Sequence, residues 1–369
     1  MKKLLLLFLL AFLAVPIANA EESVVTLTTT LDEGASIKLY TWADSMDDAF
    51  TIDWGDGVEK IYNKVKPSWT YGSEITGKLG ASKTITIKGD ITYLEIREMQ
   101  ISAATFANTK LKEVDMEKNQ LTDFNLSGLP EVTKLSLNEN SIVTFSSTGN
   151  SVLKNLGLKS NKIDSHQFEI SSLANSLEQL NVSENGENFV ALNLVNFDKL
   201  QYFTANDNPE LTTVVFYDGS TNLKQISMNN CYIMHFYAIS LPNLSSLNLS
   251  NNALLDFENG TYPKLSTLSV NGNYLSEIDV TKFPKLFSFD CSSNQLTDVN
   301  VANNPELNYF NCGNNKLTSV DVSTNKELGS LLVNGNPLSR IDISNNESLG
   351  TINISDTQIS YIDLTKAKF

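Results

Sequence analysis

Between Leu265 and Leu328 the sequence repeats itself at a 21-residue interval. Leu265, Leu268, Val270, Asn273, Leu275, Ile278 and Val280 give way to Leu286, Phe289, Cys291, Asn294, Leu296, Val299 and Val301. Leu307, Phe310, Cys312, Asn315, Leu317, Val320 and Val322 follow. A segment this short cannot bury its own apolar side, so the units must stack into a solenoid that shares one core. Numbered from the opening Leu as position 1, residues 3 to 7 alternate polar and apolar, the period of a strand with one buried face. Positions 1, 4 and 6 then point inward, and 3, 5 and 7 face solvent. Positions 11, 14 and 16 return the chain along the far side. That side has no room for a full helix and is predicted to be extended or 3₁₀. Pro130, Pro242, Pro263, Pro284 and Pro305 fall at position 20, where Pro forbids helix and holds the preceding residue extended.

Twelve units open at Leu111, Val132, Leu153, Leu177, Leu200, Leu223, Leu244, Leu265, Leu286, Leu307, Leu328 and Leu349. The spacing stretches to 23 or 24 residues between Leu153 and Leu223, and such insertions map to loops on one side of a solenoid. The pattern L-x-x-L-x-L-x-x-N-x-L-x-x-[IVF]-x-[VL] resembles the leucine-rich repeat, in the short form of bacterial secreted proteins, internalins among them. The resemblance implies a right-handed, mainly β arc with a parallel sheet. It also implies a role for the Asn at position 9, whose amide would bond backbone groups of neighbouring turns. Asn119, Asn140, Asn161, Asn185, Asn208, Asn252, Asn273, Asn294, Asn315 and Asn336 hold that position. Cys231 replaces the Asn in one unit, as a small buried residue.

Residues 1–20 read as a secretory signal peptide: Lys2 and Lys3, an apolar run from Leu4 to Val15, and Ala18-Asn19-Ala20 as a small-x-small cleavage site. The run is short for a membrane span, no Cys follows the site, and the mature chain is expected to lack a transmembrane segment. Residues 21–90 lack the 21-residue beat and hold all three Trp. Val24–Leu31, Ser36–Tyr40, Phe50–Trp54, Val58–Tyr62 and Thr84–Lys88 read as strands of a small β-sandwich. Asp53-Trp54-Gly55-Asp56-Gly57, with Trp69-Thr70-Tyr71 and Ile85-Thr86-Ile87 after it, resembles the PKD-like β-sandwich. The five-residue string lacks the alternating acids of a calcium loop and reads as a hairpin turn. Residues 91–110 form a capping unit joining this domain to the repeats of residues 111–369; Ile91, Leu94, Ile96, Met99 and Ile101 keep the strand pattern, and the rest is irregular.

The inventory for chemistry is thin. The two His residues, His166 and His235, lie three units apart. His235 is four positions from Cys231, but a thiol buried among apolar groups is inert. Cys291 and Cys312 stack at position 6 of adjacent units; the spacing admits a disulfide, but in-register side chains rarely offer its torsion, which favours two free buried thiols. No acid–base or nucleophile constellation assembles, so no enzyme, cofactor or metal is expected. The formal charge is −15, and removal of two Lys with the leader takes it to −17. That argues against nucleic acid and anionic membrane surfaces as partners.

The solvent side of the strands is the candidate site. Its residues are Tyr93, Glu113, Gln179, Tyr202 and Tyr309 at position 3, and Asp115, Asn248, Asp290 and Asn311 at position 5. The first units are charged (Glu95, Arg97, Glu113, Asp115, Glu117), and the later ones small and neutral. This column is either a solvated face or a concave binding surface with Tyr202 and Tyr309 as anchors. Asp279, Asn300, Asp321, Asp342 and Asp363 at position 15 suggest an acidic stripe, but Ser or Thr often two residues on points to turn chemistry. The resemblance implies an exported binding protein for a protein or surface ligand; the alternative is a carbohydrate-binding accessory protein. The last unit has no successor. Either Lys366 and Lys368 guard its edge with Phe369 folded over the core, or the end is a contact surface for weak self-association.

Overall fold

The computed structural model describes residues 22–45, 49–63, 74–216, 220–236, 240–257 and 260–367. Residues 1–20, expected to be a leader, lie outside them, as do Trp69-Thr70-Tyr71, Lys368 and Phe369.

Eight strands open the chain: β1 (Val24–Thr29), β2 (Ser36–Trp42), β3 (Phe50–Asp53), β4 (Glu59–Tyr62), β5 (Glu74–Lys78), β6 (Thr84–Lys88), β7 (Tyr93–Glu95) and β8 (Ile101–Ala107). One sheet runs β4-β3-β6-β1-β8, and its neighbour begins β5-β2-β7. Alternation places Val25, Leu27, Ile37, Leu39, Ile52, Ile85 and Ile87 between them, each no more than 1% exposed. Asp53–Gly57 makes the β3–β4 hairpin. Asp53 Oδ1 accepts from the N–H of Gly55 (2.8 Å) and Gly57 (3.1 Å), and Asp56 Oδ1 from that of Val58 (3.1 Å). Both carboxylates are thus occupied by the turn's own backbone. Trp54 is buried and donates from Nε1 to the Tyr62 hydroxyl at 3.3 Å.

The second sheet does not stop with the sandwich. β2 pairs antiparallel with β7 (Tyr40 with Glu95, Trp42 with Tyr93), and β7 pairs parallel with Glu113–Asp115, the first repeat strand. From there the strands continue in register to Thr351–Asn353, twelve repeat strands that with β5, β2 and β7 make a sheet of fifteen. Each repeat strand is positions 3 to 5 of its unit, for example Thr267–Ser269 on Ser288–Asp290 on Tyr309–Asn311. Residues 91–110 span both sheets, because β7 lies in the long sheet and β8 returns to pair antiparallel with β1.

Positions 1, 4 and 6 fill the core: Leu265, Val270, Leu286, Phe289, Cys291, Leu307, Phe310 and Cys312 are 0% exposed. Phe289 and Phe310 stack at 5.6 Å between ring centres, within the range of favourable aromatic pairs. The far side is extended: Asp123–Asn125, Thr144–Ser146 and Phe168–Glu169 form one short sheet, and Ala191–Leu194 with Thr213–Phe216 another. The 3₁₀ turns, Ser165–Gln167 and Ser171–Leu173, lie in the 24-residue unit, on the return side. Cys231, Cys291 and Cys312 are free and buried.

Each ladder Asn bonds in three directions. Asn273 Nδ2 donates to Leu249 O (3.0 Å) in the preceding turn and Val270 O (2.9 Å) in its own, and Oδ1 accepts from Leu254 N (3.0 Å). Cys231 imitates half of this, its thiol donating to Ala205 O at 3.1 Å; burial pushes its pKa up to about 11. Two features have no counterpart in the sequence reading. Position 8 is left-handed in each unit, from Glu98 (φ +59°) through Glu139 (+55°), Asn230 (+56°) and Gly335 (+66°) to Asp356 (+53°). Position 19 carries a second buried Asn column: Asn325 Nδ2 donates to Val301 O (3.0 Å) and Asn304 O (2.8 Å), and Asn346 repeats the arrangement.

Position 7 does not simply face solvent. Ser183, Ser250 and Ser292 are 4%, 7% and 9% exposed, because the chain turns inward there and each strand's position-5 side chain folds over it. Ser292, for one, gives both its N–H (3.0 Å) and its hydroxyl (2.7 Å) to Asp290 Oδ1.

Candidate functional site

The exposed face of the long sheet is made of positions 3 and 5, and the two columns behave differently. At position 5, short side chains reach along their own strand. Asp115, Asn181, Asn248, Asp290, Asn311 and Asn353 each accept the backbone N–H two residues on, at 3.0 to 3.2 Å. These are Asx turns that fix the exit from the strand. Asp115, Asn248, Asp290 and Asn311 therefore have a structural engagement that limits what they can offer a ligand. Position 3 has no such tie to the following backbone. Its longer side chains, Gln179, Tyr202 and Tyr309, stand off the sheet.

The face divides by charge. At its N-terminal end Arg97 lies among three carboxylates: Glu95 (3.5 Å), Asp115 (Nε to Oδ1, 3.0 Å) and Glu117 (3.9 Å). Burial raises the Asp115 pKa in spite of Arg97, and also raises that of Tyr93, whose hydroxyl donates to Glu95 at 2.5 Å. Glu113 meets Lys134 at 3.8 Å. Trp42 stacks on Tyr93, centroids 3.7 Å apart and planes 6° from parallel. No motif in the sequence assigns Trp42 to this face. Only the antiparallel pairing of β2 with β7 brings it there.

Further along, the surface is neutral. Gly157 takes position 5 between Ser136 and Asn181, and the missing side chain leaves a hollow of about 320 Å³ lined by Lys134, Ser136, Asn155, Gly157, Gln179, Asn181, Tyr202 and Thr204. Lys224 Nζ sits 5.8 Å from the centre of the Tyr202 ring and bonds Gln201 at 2.7 Å. Near the C-terminal end, Asn311 Nδ2 joins Asp290 (3.0 Å) and Ser292 (3.2 Å). Tyr309, partly buried beside Asp290, has its pKa raised by burial first.

The histidines are not on this face. His166 Nδ1 lies 3.2 Å from Asp164 and His235 Nδ1 3.0 Å from Asp256, both on the return side. Among the described residues no group of His, Cys, Asp and Glu is arranged to hold a metal, and no helix is long and apolar enough to cross a membrane. The position-15 residues make turns: Asp279, Asn300, Asp321, Asp342 and Asp363 each accept the N–H two residues on, at 2.9 to 3.0 Å.

No family model matches the chain, and no curated protein does. Solved structures do. The functional domain of InlJ from Listeria monocytogenes, which includes a cysteine ladder, aligns at TM-score 0.62 and 21% identity, over 79% of this chain and 70% of that one. An internalin, InlF, from the same organism aligns at 0.58 and 21%, over 75% and 85%. A leucine-rich-repeat protein of Leptospira interrogans aligns at 0.57 and 20%, over 69% of each. The fold is that of a leucine-rich-repeat solenoid. At these identities the likeness concerns the fold alone, and its internalin-type neighbours are bacterial. In this leucine-rich-repeat chain Cys231 alone among the Cys residues stands in the Asn ladder; Cys291 and Cys312 lie one column inward, in the core.

Proposed function

We propose that the chain is an exported, non-enzymatic binding protein that recognises a macromolecular partner, a protein, through the concave face of its leucine-rich repeats. Export rests on the leader of residues 1–20, and the sandwich is read as a PKD-like spacer on the strength of its Asp53–Gly57 turn. The observation that carries the reading is the division of labour on the sheet. Position 5 serves its own backbone, while position 3 presents Gln179, Tyr202 and Tyr309 outward from a rigid, in-register scaffold. Aromatic groups on such a scaffold suit a recognition surface, since Tyr202 and Tyr309 lose little side-chain freedom on binding, and Gln179 adds an amide that can bond in both directions. The acidic end around Arg97 supports a partner that is basic where it meets Glu95, Asp115 and Glu117.

A glycan is the second reading, favoured by the hollow at Gly157 with its amides and the Tyr202 ring. A glycan array beside a pull-down from cell-surface extracts, repeated with a Gln179→Ala/Tyr202→Ala variant, separates the two. A protein captured by the native chain and bound at least about ten-fold more weakly by the variant (about 1.4 kcal/mol) supports the protein reading. Array binding lost in the same variant replaces it with the glycan reading. Capture unaffected by substitutions along positions 3 and 5 overturns the concave-face assignment.

A further inference from the structure

The structure carries a second exposed surface, unrelated to the concave face. Where the chain leaves the Asn ladder, positions 10 and 12 point outward along one flank. In most units they are hydrophilic or small: Gln120 and Thr122, Gln295 and Thr297, Lys316 and Thr318, Gln358 and Ser360. In three consecutive units at least one of the two is large, apolar and exposed, beside Ala253 and Ser276 at the remaining places. Tyr232 (50% exposed), Met234 (37%), Leu255 (56%) and Tyr274 (56%) stand on adjacent turns. Their contiguity follows from the backbone: Leu255 N donates to Met234 O at 3.2 Å, and Tyr274 N to Leu254 O at 3.0 Å. Single exposed apolar side chains need no explanation, but a contiguous cluster on an otherwise polar flank marks an interaction surface.

The border of this cluster selects its occupant. At position 13, one residue beyond Met234, Leu255 and their equivalents, stands His235, with Nδ1 3.0 Å from Asp256, and then Asp256, Glu277 and Asp298 in successive units. With Asp279 these three acids line a groove of about 820 Å³ that also touches Thr281, Thr297 and Asn300, and none of its lining residues is basic. A second copy of this chain pairing across the same patch would set these acids against one another, and like charges across an interface cost several kcal/mol. An anionic lipid surface or a nucleic acid meets the same repulsion. Tyr and Met are favoured at protein interfaces, and the Met and Leu side chains offer a sugar nothing to bond.

We infer that the flank formed by Tyr232, Met234, Leu255 and Tyr274 is a docking site for a protein segment that presents an apolar plug with Lys or Arg beside it, the plug lying on the apolar ridge and the basic groups in the acidic groove. This site does not depend on the concave-face reading.

The test is selection of a random peptide display library on the full chain, with a Met234→Ser/Leu255→Ser/Tyr274→Ser variant as counter-selection. The expected result is enrichment of peptides that combine aromatic or aliphatic residues with Lys or Arg. Synthetic copies should bind the variant at least about ten-fold more weakly and lose affinity as salt is raised. They should bind a Gln179→Ala/Tyr202→Ala chain as they bind the native one. An Asp256→Asn/Glu277→Gln/Asp298→Asn chain, which leaves the apolar ridge intact, should weaken the same peptides and flatten their salt dependence. That arm decides the matter if the first variant does not fold. Failure to enrich any peptide over the variant, enrichment without basic residues, or patch-dependent binding of glycans on an array in place of peptides would each overturn the proposal.

Discussion

At position 8 the backbone is left-handed in each unit, whatever residue stands there. Gly272 and Gly335 take this conformation without cost, and Asn230, Asn251 and Asn314 tolerate it, but Lys118, Glu139 and Glu184 are held in it by the hydrogen bonds on either side. Glu139 N, for instance, donates to Lys159 O at 2.8 Å. A non-glycine residue in this region stores about 1 kcal/mol or more. Glu139→Gly is therefore expected to stabilise the chain by about 0.5 to 1 kcal/mol, the strain relieved being partly offset by the greater freedom of Gly in the unfolded chain. Chemical denaturation checks it, and an unchanged or lower midpoint would contradict the strain argument. The neighbouring ladder acts in the opposite sense. Asn273→Ala removes donors from Leu249 O and Val270 O and an acceptor from Leu254 N, all buried, at a cost of about 1–3 kcal/mol. Gln295→Ala, one position along from the next rung and exposed, should fall within about 0.5 kcal/mol of the native chain. Equal shifts for these two variants would mean that the rung does not hold the turn. The thiols follow from burial as well. Cys231, Cys291 and Cys312 all have raised pKa values, burial being the largest cause, so a thiol reagent should label three groups after denaturation and none before; labelling of the native chain would show that one of these thiols is accessible.

The elements were legible where a face is buried and illegible where it is not. Apolar residues at positions 1, 4 and 6 announce the repeat strands because no other placement buries them. β5 (Glu74–Lys78) escaped because its sequence, EITGK, has one fully buried residue, Ile75. β8 read as irregular because its partner is β1, far back in the sequence. The site was legible as a face but not as individual roles. That Asn248 and Asp290 serve their own backbone while Gln179 stands free of it depends on side-chain reach, which periodicity does not encode. Turn chemistry at position 15 leads to a pH prediction. Asp279, Asp321, Asp342 and Asp363 are hydrogen-bonded to the residue two places on, which holds their pKa values below the ordinary carboxyl range. A carboxyl whose folded pKa lies below its unfolded value of about 4 contributes stability above that pH and loses it as pH falls through the folded value. Asp115 has the opposite sign, since burial raises its pKa and its ionisation weakens the fold. Replacing the four turn Asp with Asn, which already forms the turn at Asn300, keeps the turn but removes the charge, so the melting temperature at neutral pH should fall slightly and its further fall below about pH 4 should flatten. An acid limb identical to that of the native chain would remove these turns from the account.

Sandwich and solenoid share one core, which runs without a break from Val25 to Leu349, and one sheet that turns from antiparallel to parallel at β7. At its N-terminal end the solenoid is therefore sealed: β2 and β5 cover the first repeat strand's approach, and Trp42 and Tyr93 stack over the joint. The other end is different. Thr351–Asn353 pairs with Ser330–Leu332 along one edge, and among the described residues no strand pairs with the other. Leu331, Val333 and Leu338 are fully buried, but their successors Ile352, Ile354 and Ile359 are only partly covered, and Tyr361 and Leu364 are 78% and 43% exposed. An apolar core end beside an unpaired strand edge recruits other chains unless something blocks it. We propose weak association of two copies through this unit, opposed by the net negative charge of the chain. Sedimentation velocity across a range of concentrations should show a monomer–dimer equilibrium that tightens as salt screens the charge. Deleting residues 365–369 should strengthen it if the tail guards the edge, and Ile354→Lys should abolish it. A monomer at all concentrations, in the native chain and the deletion alike, would rule out end-to-end association and leave the partly covered Ile352, Ile354 and Ile359 as an end that the solenoid tolerates in isolation.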